Sequence, residues 1–381
     1  MAGVPKLSRR ARWAIPAGAL VITGAVIGGS LISVAQASPG LPSRTPAQLL
    51  AQVADSVTPP LTGTVVETTS LGLPSLPGTA NPTSIASLLT GSHTVRVWYS
   101  GPRHFRLAVP QPLSETDVIA DGNTAWQWES TANAVTEYSL PAHSSAPQTA
   151  PTTAPLTPQQ AAQQVLAAVG PTTTVSVDSN VTVAGQPAYE LVLAPKDSRS
   201  LVGQVQIAID GKNGVPLRLQ VYARGASSPA FQVGYTAIQF VTPAPADLTF
   251  TPPPGAKVSH VNLSAPSGSD QMPGDVSTIG SGWLTVLDLP GTGLTAPSGS
   301  GSGANASGDS PSGDSAAVLN ALLQSATPVS GAWGSGRLLR TSLISVLITD
   351  GGRAFAGAVQ PSVLYAAAGQ AAAGSSSTQA P

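Results

Sequence analysis

Residues 93–130, HTVRVWYSGPRHFRLAVPQPLSETDVIADGNTAWQWES, are the stretch whose reading decides the fold. Along HFRLAV, Phe105, Leu107 and Val109 alternate with His104, Arg106 and Ala108. Along TAWQWES, Trp126 and Trp128 alternate with Gln127 and Glu129, the two-residue period of strands with one apolar face. The stretch predicts four successive strands that gather Trp98, Phe105, Trp126 and Trp128 on one small sheet. A sheet face that aromatic needs a cover, and the question for function is whether protein or ligand provides it.

Composition narrows the choice. The chain has 381 residues, 41% of them hydrophobic, enough for one large domain or a large one plus a small one. Charged residues make up 9% and the net charge is −1, against about 25% charged in an average soluble domain. Nothing in this balance attracts a phosphate backbone, so nucleic acid is not an expected partner. The 39 glycines and 36 prolines cluster in particular segments, which reads as part folded and part linker. The absence of cysteine excludes disulfides, a thiol nucleophile, cysteine metal sites and a lipid-modified N-terminal cysteine.

Residues 1–37 read as an export signal. Lys6, Arg9, Arg10 and Arg12 precede an uncharged apolar run from Trp13 to Ala35, and Ala35-Gln36-Ala37 supplies the small-x-small pattern of a cleavage site. The run is also long enough to be retained as an anchor over residues 13–35. Either way the basic flank stays inside and the rest of the chain faces out, so the protein is expected to be extracytoplasmic, secreted or held at the outer face of the cytoplasmic membrane.

After a linker at 38–44, Thr45, Pro46 and Gln48 form a helix start with a capping box, and Leu49, Leu50, Val53 and Val57 line one face. Thr157, Pro158 and Gln160 repeat the device for a second helix with Val165, Leu166 and Val169, ended by Gly170. Between the helices lie GTVVETT (63–69), an insertion with a short helix at 85–89, the opening stretch with its Asp121-Gly122-Asn123 turn, AVTEYSL (134–140), and a Pro/Ser/Thr linker at 141–155. Then follow TTVSVD, PAYELVLA, GQVQIAID, VPLRLQVYAR and AFQVGYTAIQFV, the third and fourth joined by the turn Asp210–Gly214. Short strands linked by turns predict antiparallel pairing.

The order of these elements, with Trp98, Pro102, Phe105 and Arg106, then Asp121, Gly122, Thr124 and Trp126, and last Phe250, Thr251, Pro252, Pro253 and Gly255, resembles the LolA/RseB superfamily over about residues 45–260, as an exported member of actinobacterial type. That superfamily includes periplasmic lipoprotein carriers and a regulator that senses mislocalised lipoproteins. The resemblance implies an α+β fold: a curved, unclosed antiparallel β-barrel covered by two or more helices, whose concave apolar face opens to receive acyl chains. One departure is Gly101, where the carriers commonly have a basic residue that assists opening. Arg103 and Arg106 stand near it as gating candidates.

Trp126 and Trp128 on one face are equally well explained as ordinary core. As a ligand surface, the candidates are Trp98, Phe105, Leu107, Trp126, Trp128, Leu191, Leu193, Ile207 and Leu219, whose alternation is compatible with one shared face. The implied partners are the acyl chains of a lipid or lipoprotein, and, in an RseB-like regulator, a membrane anti-sigma factor or other envelope signalling protein.

Enzyme signals are poor. His93, His104, His143 and His260 are scattered without the spacing of a zinc helix, and there is no G-x-S-x-G elbow. The Gly-Ser-Gly run at 298–303 follows no strand and opens no helix. Asp121, Asp210 and Asp350 each precede glycine, where capping a turn is the simpler role. A non-catalytic binding protein without cofactor or metal is expected.

Past residue 260 the composition shifts. The segment 261–281 reads as linker. A small C-terminal appendage spans 282–365, with GWLTVLDLP, a helix AAVLNALLQS and a hairpin turning at Asp350-Gly351-Gly352 around a disordered insert at about 291–317. It is too small to stand alone and is expected to dock on the barrel or on a partner. Residues 366–381 read as a disordered tail.

Overall fold

A computed structural model describes residues 40–72, 90–140, 163, 166–262, 276–289, 322 and 324–377. The export signal, the helix expected at 85–89, the linker at 141–155, the insert at 291–317 and most of the helices expected at 157–170 and 316–325 lie outside the described residues.

Helix α1 (Pro46–Asp55) begins as the sequence predicts. The Gln48 amide donates to Thr45 Oγ1 at 3.3 Å, and Gln48 Oε1 accepts from the Thr45 amide at 2.9 Å. Val57, expected on its apolar face, instead lies past the helix end and is exposed. The Ser56 amide turns back to Val53 O, and the chain leaves toward Pro59-Pro60, which cannot continue a helix.

Six strands follow as a meander: β1 (Leu61–Ser70), β2 (Thr90–Gly101), β3 (His104–Gln111), β4 (Ser114–Asp121), β5 (Thr124–Glu129) and β6 (Ala134–Ser139). Then come β7 (Thr173–Val177), β8 (Val181–Val183), β9 (Gln186–Pro195), β10 (Val202–Asp210), β11 (Pro216–Ala223), β12 (Pro229–Gln239), a one-turn helix α2 (Pro245–Leu248) and β13 (Lys257–Asn262). They form one sheet of 13 strands in the order β13-β6-β5-β4-β3-β2-β1-β12-β11-β10-β9-β7, with β8 also on β9. The sheet is curved and unclosed, ending at β13 and β7, as the resemblance implies. Its pairings are antiparallel except β13, which lies parallel to β6. That exception arises because the chain leaves β12 near the middle of the order and crosses six strands before rejoining the edge.

The C-terminal unit is larger than the sequence suggests. Strands β14 (Ser277–Ile279), β15 (Val286–Leu289), β16 (Thr327–Gly331), β17 (Gly334–Arg340), β18 (Ser345–Thr349) and β19 (Ala354–Gly357) form a second sheet ordered β14-β15-β19-β18-β17-β16. Strand β14 falls within the segment read as linker. Helix α3 (Pro361–Ser377) occupies most of the segment read as a disordered tail, and buries Leu364, Ala367 and Ala368 against Leu347 and Phe355. An alanine-rich helix of this kind is held by the sheet beneath it rather than by any charge pattern of its own.

The two sheets are docked on each other. The Leu201 amide donates to Ala358 O at 2.9 Å, Ser342 N to Leu71 O at 2.9 Å, and Trp283 Nε1 to Thr173 Oγ1 at 2.7 Å. Leu71, Val202 and Ala230 of the large sheet share a buried cluster with Leu343 of the small one.

Candidate functional site

Register assigns every candidate side chain to a face, because residues directly opposite across neighbouring strands point the same way. Trp98 stands opposite Arg106, Arg106 opposite Ile119, and Ile119 opposite Trp126; Trp128 stands opposite Asp117. Phe105 is instead opposite Tyr99 and Ala120, and Leu107 opposite Val97 and Val118. The structure therefore separates what alternation alone left together. Trp98, Trp126, Trp128 and Arg106 share one face of the meander, and Phe105 and Leu107 lie on the other.

The second face continues across the sheet. Leu191 is opposite Ile207, Ile207 opposite Leu219, Leu219 opposite Val233 and Val233 opposite Glu67. Leu193 joins through Val205, Val221, Phe231 and Thr69. Six of the nine candidates, Phe105, Leu107, Leu191, Leu193, Ile207 and Leu219, thus share a face with helix α1, whose Leu49 is fully buried against Tyr189, Leu191 and Ile209. The helix covers the β9–β10 end, and the C-terminal unit closes another part through Leu343 and Trp283. Between them Val97, Tyr99, Phe105, Leu107, Ile207 and Leu219 stay half-buried. The segment read as linker also braces α1: Tyr189 Oη donates to Pro42 O at 2.8 Å and the Arg44 guanidinium lies over the Tyr189 ring.

The tryptophan face has a protein cover. The crossover from β12 to β13 lays α2 over β2, β3 and β4, and Phe250 sits with its ring centroid 6.0 Å from Trp126 and 6.4 Å from Trp128. Beneath it, Arg106 pairs with Asp117, reaches Glu115 at 3.6 Å and lies over the Trp98 ring. Asp117 has no exposed surface. Burial raises its carboxyl to about 6, Arg106 opposing the shift and the like charge of Glu115 adding to it. Asp117 Oδ1, Arg106 Nε and Trp128 Nε1 are buried without a hydrogen-bond partner. Trp126 and Trp128, both half-buried, thus pack against Phe250 on this face.

The two gating candidates separate as well. Arg106 belongs to this ion pair. Arg103 bonds Asn123 Oδ1, while its own carbonyl accepts from the Gly122 amide at 2.8 Å, so it ties the β2–β3 turn to the β4–β5 turn. Two turn aspartates behave differently: Asp210 Oδ1 accepts the Lys212 amide at 3.0 Å and caps its own turn, whereas Asp121 lies 3.1 Å from His104 Nδ1. The residues that sequence reading missed are Glu67 and His93, a polar pair within the apolar face. Their signal was Glu67 itself, a charged residue in the inward phase of GTVVETT.

Among the described residues no three His, Asp or Glu side chains are grouped to hold a metal ion. A cleft of about 490 Å³ lies between the two sheets, where Thr172 and Lys196 meet Trp283 and Leu284. The half-buried apolar face offers burial, hydrogen bonding at one polar group, and no arranged nucleophile.

No family model matches this chain, and no curated protein matches it. Among solved structures, the MucA/MucB complex of Pseudomonas aeruginosa matches at 15% identity, over 84% of this chain and 95% of that one, with a TM-score of 0.39. An uncharacterized conserved protein from Thermus thermophilus matches at 13% identity, over 56% of this chain and 98% of that one, with a TM-score of 0.32. A LolA superfamily protein from Nitrosomonas europaea matches at 11% identity, over 55% of this chain and 99% of that one, with a TM-score of 0.22. At these scores the fold statement rests on the strand order and the register above.

Proposed function

We propose that this chain is an exported, non-catalytic binding protein that holds the acyl chains of a lipid or lipoprotein against the face shared by Phe105, Leu107, Leu191, Leu193, Ile207 and Leu219. The observation that carries the reading is the apolar face on which Phe105, Leu107, Ile207 and Leu219 stay half-buried, with α1 covering its β9–β10 end. Burial of each methylene there contributes about 0.8 kcal/mol, so a chain of a dozen carbons needs no charged contact for affinity. The export signal and the family resemblance support a site outside the cytoplasmic membrane. Native mass spectrometry of protein purified from its own membrane fraction is expected to show co-purifying lipid or lipopeptide, and delipidated protein to take up a fluorescent acyl probe. Failure to take up the probe refutes the reading.

The docked C-terminal unit favours a second role, in which the protein also engages an envelope signalling partner. Deleting residues 282–365 would expose Leu71, Val202 and Ala230 and is no clean test. Leu287 on β15 and Ile344 in the β17–β18 connection, both exposed, are better targets. Aspartate at both positions is expected to abolish partner capture by cross-linking in envelope extracts while acyl uptake persists.

A further inference from the structure

Three polar side chains interrupt the apolar face. Glu67 and His93 stand directly opposite each other on β1 and β2, and across β12 Glu67 faces Val233, the head of the line through Leu219, Ile207 and Leu191. The Thr69 hydroxyl donates to one Glu67 oxygen, and His93 Nε2 lies 3.7 Å from the other. The trio is set inside the lining: His93 is 2% exposed and Thr69 8%. The Glu67 side chain keeps 16% exposure, so it borders reachable space. A carboxyl there is costly unless bonded, and burial raises its pKa from the ordinary value, with Thr69 and His93 opposing.

Resting on the acyl-binding reading, we infer that Glu67, His93 and Thr69 form a head-group station that selects acyl ligands ending in an uncharged hydroxyl, as in a diacylglycerol. A hydroxyl both donates and accepts, matching a carboxyl beside an imidazole. A carboxylate or phosphate end places a second negative charge next to Glu67 in a poorly solvated site. An esterified end has no donor, so it adds nothing to the contacts Glu67 already makes with Thr69 and His93 while displacing water from it.

The full chain, delipidated, is titrated with a fluorescent diacylglycerol, its O-acetylated counterpart and a fluorescent fatty acid of equal chain length. The wild type is expected to bind the hydroxyl ligand about 10-fold tighter than either of the others. In Glu67→Leu the ratio falls toward one, and in Thr69→Val, which removes the group that holds Glu67, it narrows. Thermal unfolding of each variant reports folding, and isosteric Glu67→Gln replaces Glu67→Leu if the latter does not fold. Equal binding of all three ligands by the wild type, or a preference that survives in the Glu67 variant, overturns the head-group station and leaves acyl binding standing. Binding of none of the three overturns the acyl reading itself.

Discussion

Asp117→Asn is the perturbation whose outcome the structure fixes most narrowly. Asp117 is fully buried, paired with Arg106 and opposite Trp128, and its carboxyl stands at about 6 against an ordinary 3.8. A difference of that size corresponds to roughly 2–3 kcal/mol between the protonation states, at about 1.4 kcal/mol per pH unit. Because the folded value is the higher one, the folded protein binds more protons than the unfolded chain between about pH 4 and pH 6. The contribution therefore favours folding at the acid end of this window, declines as pH rises through it, and is level above. Asparagine has almost the same shape and no proton to bind, so this dependence vanishes. Arg106 keeps Glu115 at 3.6 Å, which limits the constant cost of losing its partner. Urea unfolding followed by tryptophan fluorescence at half-unit steps from pH 4 to 7 gives the two profiles. The difference, wild type minus variant, is expected to fall by on the order of 2 kcal/mol across the window. Glu67, whose pKa is also raised, acts in both proteins and cancels. Parallel profiles would refute the assignment of the shift to burial beneath the crossover.

Leu49→Ala removes the fully buried anchor of α1 from Tyr189, Leu191 and Ile209, and is expected to cost about 2–5 kcal/mol in urea unfolding; less than 1 would mean that α1 is not fixed to the sheet. Thr45→Ala removes the Oγ1 arm of the capping box and leaves the amide-to-Gln48 arm, a loss of about 1 kcal/mol by the same assay. At Gly336 an added Cβ would collide with the Ile348 carbonyl across β17 and β18, so Gly336→Ala should cost about 1–3 kcal/mol, on the scale of other overpacking substitutions. Gly122→Ala, in open space but at φ +63°, is expected to cost about 1 kcal/mol, the left-handed penalty alone.

Much of the large sheet was legible from residue pattern because each strand carries its own period of two and each turn its own punctuation. The phase between strands was the missing quantity. Alternation shows that Phe105 and Leu107 share a face and that Trp126 and Trp128 share a face; it does not show that the faces coincide. The turns held that information: with Gly122-Asn123 as a two-residue connection Asp121 pairs with Thr124 and Ile119 faces Trp126, and with Pro112-Leu113 as another Gln111 pairs with Ser114 and Phe105 faces Ala120. The β8 hairpin was missed for another reason, since a three-residue strand closed by Ala184-Gly185 at φ +50° and +79° has too few positions to show a period. In the C-terminal unit, β14 and β16 lie beside glycine- and serine-rich sequence and α3 is rich in alanine, glycine and serine, so their order comes from tertiary burial and leaves little local trace.

The separation of faces changes how the polar groups should be weighed. Arg106, Asp117 and Glu115 lie on the Phe250 side of the sheet, where titration of the buried Asp117 alters the energy of holding the crossover. Glu67, His93 and Thr69 lie on the opposite face, among side chains that α1 and the C-terminal unit cover only in part. One sheet thus carries two polar clusters back to back through the same strands, one on the crossover side and one among apolar side chains. The Glu67 cluster, set among aliphatic side chains, can make the difference between two ligands of equal chain length, because a ligand without a donor gives Glu67 no bond beyond its contacts with Thr69 and His93. Specificity at this site is therefore expected to come from the cost of the wrong head group rather than from added attraction for the right one.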